Sequence, residues 1–224
     1  MTRTTNARIA GFTFLFYIAA AFPSMVLFNR ATSGEGTAAK LASIAQHASD
    51  LRVCVVLTLL SSFTAIVLAV ALYGITRAED HELAVLGLAC RVGEGLLVGL
   101  SLQTVLGLLW LTTAGAGASA PDLATANALG AFLLMQDWPI AATFFAVGST
   151  LFSYLLLRGR MVPIPLAGLG FLASVLLVVA LPLQIAGFLK GQVTGSLYFW
   201  MPMLVFEVTL ALWLLIKGVA PVRA

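Results

Sequence analysis

Cys90-Arg91-Val92-Gly93-Glu94 sets two full charges inside Leu83 to Thr113, a run that is otherwise apolar. A charged side chain at the centre of a bilayer costs about 2.5–3.5 kcal/mol on insertion scales, so it faces a protein interior or a watery cavity and pairs there. A spacing of three puts Arg91 and Glu94 on one helix face, where they can pair with each other or jointly meet a neighbouring helix. The stretch reads as the polar centre of a helical membrane bundle.

Composition agrees with that reading. Of 224 residues, 61% are hydrophobic and 9% are charged, with a mean hydropathy of +1.04, whereas about a quarter of residues are charged in soluble domains. The length accommodates about six spans of ~20 residues with short connections. A single transmembrane domain over residues 1–224 is expected, with no room for a separate soluble one. The formal charge of +3 is small, and basic residues at helix ends set topology, which argues against nucleic acid as a partner. Cys54 and Cys90 lie in apolar helix without C-x-x-C or clustered histidine, so no disulfide, metal or cofactor is expected. No phosphate loop, Ser/His/Asp set or HExxH motif occurs, and His47 and His81 fall in connections.

Working outward, the first span runs from Ile9 to Phe28. Beyond a polar turn at Ser33-Gly34-Glu35-Gly36, Ala38, Leu41, Ala42, Ala45 and Ala48 recur at helical spacing. This predicts a short amphipathic helix lying at the interface. Leu51 to Thr76 is span two and Leu83 to Thr113 span three, followed by a Gly/Ala/Ser/Pro loop from Ala114 to Ala126. Spans four, five and six are expected at Ala128 to Leu157, Pro163 to Leu189 and Leu197 to Ile216. The fold class is thus all-α: a polytopic bundle of six transmembrane helices plus one interfacial helix. Spans two, four and six close alike, with Tyr73, Tyr154 and Trp213 each four residues before a base, Arg77, Arg158 and Lys217. That pattern describes three successive hairpins whose second helices end at the same interface.

Six spans place both termini on one side. That side holds Arg3, Arg8, Arg77, Arg158, Arg160, Lys217 and Arg223, and the opposite side holds Arg30, Lys40, Arg52 and Lys190. Seven bases against four predict cytoplasmic termini.

The chain resembles the bacterial membrane-protein family known as domain of unknown function 4386. The resemblance runs through Arg8-Ile9-Ala10-Gly11, Arg52, Ala71-Leu72-Tyr73 and Cys90-Arg91-Val92-Gly93-Glu94. It continues through Tyr154-Leu155-Leu156-Leu157-Arg158-Gly159 with Pro163, and Glu207-Val208-Thr209-Leu210-Ala211-Leu212-Trp213. It covers most of the chain and implies a six-helix integral membrane protein, with no activity to carry over. Members often have an acidic residue in span two, and Leu57 to Thr76 has none.

Depth follows from the rise of about 1.5 Å per helical residue. Glu207, ten residues before Lys217 and seven after Trp200, falls near the midplane, and Glu94, eleven past Leu83, lies roughly 16 Å into span three. Arg91, Glu94 and Glu207 are expected at one level, with Ser61, Ser62 and Thr64 of span two and Tyr17 of span one. A second polar layer is expected nearer the outside, from Gln103, Gln136, Asp137 and Gln184, with Pro139 and Pro182 freeing backbone groups beside it. Gly93, Gly95 and Gly99 suit close helix packing. An unpaired midplane carboxylate is costly, so Glu207 is expected to be buried and bonded to Arg91, Ser61, Ser62 or Tyr17.

Three functions fit this arrangement. The first is a pocket that binds or transports a small amphipathic or lipid-like molecule. The second is an intramembrane enzyme in which Glu94 or Glu207 is a general acid toward an isoprenoid or lipid, in the style of terpene cyclases, with Asp137 or the other Glu accepting a proton. The third is a bundle that assembles with another membrane protein. Membrane lipids are partners in each case. The topology is testable by cysteine labelling from outside intact cells: Ser33→Cys should be modified and Arg223→Cys spared, and the reverse pattern would invert the orientation.

Overall fold

Backbone that crosses lipid must satisfy its own hydrogen bonds, and in this computed structural model the long apolar runs are helices. The structure describes residues 2–113, 121–135 and 138–220. Its elements are α1 (Arg3–Ala31), α2 (Gly36–Gln46), α3 (Ala48–Thr76), α4 (His81–Thr113), α5 (Leu123–Leu133), α6 (Trp138–Arg158), α7 (Ile164–Ile185), α8 (Gly191–Thr194) and α9 (Leu197–Ile216). Among the described residues six helices, α1, α3, α4, α6, α7 and α9, are long and apolar enough to cross a membrane. The amphipathic helix expected after the first span is α2.

The fourth span differs from the expectation. Instead of one helix from Ala128 to Leu157, α5 ends at Leu133 and α6 begins at Trp138. A helix running through this point would need a donor at Pro139, which has none, and its ring would meet the carbonyl four residues earlier. In the first turn of α6 the missing N–H costs nothing, so Pro139 starts a span where it was expected to free backbone groups within one. The end of the expected loop is also helical: Asp122 caps α5, its side chain accepting from the Thr125 N–H at 2.7 Å.

The chain forms two compact units, and α1, α3 and α4 each contribute to both. Unit 2 comprises Ile18–Ser61 and Val98–Trp138. Its core is Ala31, Ile44, Leu51, Leu108 and Leu109, flanked by Phe28, Leu41 and Leu133. Here α2 packs on α5. The Ser24 hydroxyl lies 2.8 Å from Thr58 Oγ1 and 3.1 Å from Cys54 Sγ, and both cysteines are free thiols.

Unit 1 comprises Met1–Tyr17, Ser62–Leu97 and Pro139–Ala224. In it α7 packs on α9. One end of this unit is tied by its basic residues: Arg3 Nε donates to the Ile75 carbonyl at 3.1 Å and Nη1 to Ala220 at 3.4 Å. The Ala220 N–H donates to Met161 O at 3.0 Å, and Arg158 pairs with Glu79 at 3.1 Å and Asp80 at 3.2 Å. The start of α1, the α3–α4 and α6–α7 turns and the residues after α9 therefore meet at one end.

The cap on α5 makes a pH prediction. The Thr125 N–H holds the Asp122 carboxyl below the ordinary carboxylate range. A folded-state value below the unfolded one contributes stability above the unfolded value, and loses it as pH falls through the folded one. Amide exchange at residues 123–126 should therefore quicken as pH drops below about 4, after correction for intrinsic rates. In Asp122→Ala it should be fast at neutral pH, with no acid step beyond the intrinsic one.

Candidate functional site

Four helices of unit 1 bring ionisable or polar side chains to one place: α4 supplies Arg91 and Glu94, α1 supplies Tyr17, α9 supplies Glu207, and α6 supplies the wall against which Arg91 lies. Arg91, Glu94 and Glu207 are 1%, 2% and 7% exposed, so bulk water is not their counterpart. Arg91 Nη1 is 2.9 Å from Glu94 Oε2, the pairing expected from the i, i+3 spacing. The contact is close but not aligned as a hydrogen bond, and the guanidinium nitrogens and Glu94 Oε2 have no aligned hydrogen-bond partner among the described residues. Attraction at this distance is chiefly coulombic and strong at low local dielectric.

The remaining face of the guanidinium lies over Phe145 of α6, with Cζ 4.6 Å from the ring centroid. A desolvated cation over an aromatic face gains about 2 kcal/mol from the ring quadrupole. The aliphatic stem of Arg91 needs a gap, which Gly148 supplies one turn along α6. A Cβ built there would lie 2.7 Å from Arg91 Cγ, 2.9 Å from Cδ and 3.3 Å from its backbone nitrogen. Close approach of α3 to α4 depends on Gly95 in the same way. Ser62 Oγ donates to Gly95 O at 2.6 Å, and a Cβ on Gly95 would come 3.0 Å from the Ser62 carbonyl oxygen.

Tyr17 donates its hydroxyl to Glu94 Oε1 at 3.3 Å. Glu207 lies within the electrostatic field of both Arg91 and Glu94, and its Oε1 has no hydrogen-bond partner among the described residues. The bonds expected for it are made elsewhere: Tyr17 bonds Glu94, Ser62 bonds Gly95, and Ser61 donates to Leu57 O at 3.0 Å within α3. A cavity of about 10 Å³ lies between Arg91, Ser149 and Ser153 on its polar side and Phe14, Phe152 and Phe206 on its apolar side. That is the room one water molecule needs.

Gln103 is exposed on α4 in unit 2, as Ser61 is buried in that unit. Gln184, at the end of α7 in unit 1, accepts from the Thr194 hydroxyl. Gln136 and Asp137 lie outside the described residues. Phe145, Gly148, Ser149 and Ser153 were not singled out from sequence. Their signal was the four-residue spacing of Ser149 and Ser153 after Gly148, which marks one face of α6.

The family model described as "Domain of unknown function (DUF4386)" matches residues 9–218, nearly the whole chain. The chain belongs to this family. No curated protein and no solved structure matches it. In this DUF4386 member the matched region holds all of Tyr17, Arg91, Glu94 and Glu207, while α3 carries no acid after Asp50. The buried carboxylates therefore come from α4 and α9.

The Gly148 gap is testable. Gly148→Ala should push the Arg91 stem away from Phe145 and lower stability by about 1–3 kcal/mol, as overpacking does. Gly168→Ala, on α7 with nothing within 4 Å of its added Cβ, should be neutral or stabilising by up to about 1 kcal/mol. Thermal melts in detergent compare the two, and equal shifts would remove the gap from the account.

Proposed function

We propose that this chain is a membrane-embedded binding or carrier bundle for a small amphipathic or lipid-like molecule, whose polar group is taken by Arg91, Glu94, Glu207 and Tyr17. The observation that carries this reading is the unfinished hydrogen bonding of three buried ionisable side chains in one unit. A polar cluster that only held helices together would be expected to satisfy its own donors and acceptors. Donors and acceptors left over can take a hydroxyl, an amine or a phosphate oxygen from a ligand. One guanidinium set against two carboxyls also leaves one negative charge in surplus. A proton on one carboxyl, or a cationic group on the ligand, cancels it.

The cavity of about 10 Å³ admits water and nothing larger. In a carrier, a larger ligand enters when helices or side chains move apart, a step such proteins make on micro- to millisecond timescales. The same small volume favours a second reading, in which the cluster is a register-fixing ion pair within a bundle that assembles with another membrane protein. The acid/base enzyme reading assigns Glu94 or Glu207 as proton donor and rests on the same carboxyls. The six spans support a multi-pass protein, for which we propose a bacterial plasma membrane, and the seven-to-four distribution of bases supports cytoplasmic termini.

Incubation of the purified protein with a total lipid and isoprenoid extract, followed by re-isolation and mass spectrometry, separates the three. The binding reading predicts one unchanged amphipathic species held by the parent and lost from Glu207→Gln. A product absent from the starting extract would instead establish the enzyme. Retention of nothing beyond bulk lipid, by parent and variant alike, would leave the structural bundle.

A further inference from the structure

The tied end of unit 1 contains a cleft of about 300 Å³, far larger than the cavity beside Arg91. Arg3, Glu79, Arg158 and Arg160 line it, and Gly159 and Met161 lie between them. Its charges are unevenly paired. Arg158 takes both neighbouring carboxylates, Nε reaching Glu79 at 3.1 Å and Nη1 reaching Asp80 at 3.2 Å. Arg3 donates only to backbone carbonyls, those of Ile75 and Ala220. The Arg160 side chain is exposed and has no hydrogen bond or ion pair among the described residues. Among the described residues, three guanidinium groups and two carboxylates leave one net positive charge, with two guanidiniums outside ion-pair distance of a carboxylate.

The backbone at Arg160 is a second, independent observation. The Arg160 N–H bonds Leu157 O at 3.1 Å and the Met161 N–H bonds Leu156 O at 3.0 Å, the paired bonds that end a helix at a left-handed residue, usually glycine. Arg160 occupies that position with φ +48°, and no other described non-glycine residue has a positive φ. Strain of this kind at a residue whose side chain makes no hydrogen bond or ion pair among the described residues points to a use for the side chain.

We propose that this cleft binds the phosphate of an anionic phospholipid, with Arg3 and Arg160 on the phosphate oxygens. Guanidinium groups present planar pairs of donors that match phosphate oxygens, and a phosphodiester carries the single negative charge that the cleft lacks. The position favours a lipid over free phosphate. The cleft lies where α1 begins and where α3 and α6 end, at the ends of spans and hence at the membrane–water boundary. Tyr154, one turn before Arg158, and Ile164, at the start of α7, are 38% and 55% exposed beside this turn and offer apolar surface to acyl chains. Basic residues at such a boundary draw anionic lipids. The site differs from the buried cluster in residues and in chemistry, and stands or falls separately from it.

The test uses the full chain in detergent, with thermal melts titrated against dioleoylphosphatidylglycerol, dioleoylphosphatidylcholine and inorganic phosphate. Variants are Arg160→Gly, Arg160→Gln and, as a control at an exposed base of unit 2, Arg52→Gln. Phosphatidylglycerol should raise the parent's Tm at concentrations where phosphatidylcholine and inorganic phosphate do not. Arg160→Gln should weaken that response roughly tenfold in lipid concentration, the loss of one charge-assisted hydrogen bond, and Arg52→Gln should not. Arg160→Gly suits the left-handed position, so without lipid it should melt at or above the parent's temperature while losing the response. Equal responses to both lipids, an equal response to inorganic phosphate, or a full response in Arg160→Gly would each overturn the proposal.

Discussion

A guanidinium group buried in an apolar bundle cannot shed its charge, and much of unit 1 is arranged around that fact at Arg91. Its charge is met by Glu94 one turn away, its flat face by Phe145, and its stem by the gap at Gly148. Glu94 in turn is steadied by the Tyr17 hydroxyl, so α1, α4 and α6 are held in mutual register by one side chain and its neighbours. Removing one partner of such a pair leaves an uncompensated charge and costs about 3–5 kcal/mol, which is why the arrangement constrains so many positions at once.

Glu207 makes the cluster more than a pair. It comes from α9, which packs on α7, and it is buried with no hydrogen bond to Oε1 among the described residues. Two carboxyls about one guanidinium form a site that is neutral only with a further positive charge. The tied end of the same unit has the opposite imbalance, with guanidiniums in excess of carboxylates.

The parts of this picture that depend on a single helix were legible in the sequence. The Arg91–Glu94 pair follows from a spacing of three on one helix face. Azimuth was not legible, because counting gives height along a helix and packing decides which way each face turns. Gln103 and Gln184 were placed in one layer by height alone, yet one is exposed in unit 2 and the other bonds Thr194 in unit 1. The break between α5 and α6 was hidden by apolar residues on both sides of it. Its signal was chemical, the missing donor at Pro139, which hydropathy does not register. Arg160 escaped notice because its interest lies in a backbone angle.

The central claim is that Arg91, Glu94 and Glu207 act as one site, which requires Arg91 and Glu207 to sense each other. A double-mutant cycle measures it directly: thermal or denaturant stability in detergent of the parent, Arg91→Met, Glu207→Gln and the double variant. Residues that share one network show coupling of about 0.5–3 kcal/mol. The account predicts coupling in that range, with the double variant more stable than the two single losses add up to. Additivity within about 0.3–0.5 kcal/mol would mean that the two residues do not sense each other, and the three charges would not be one site.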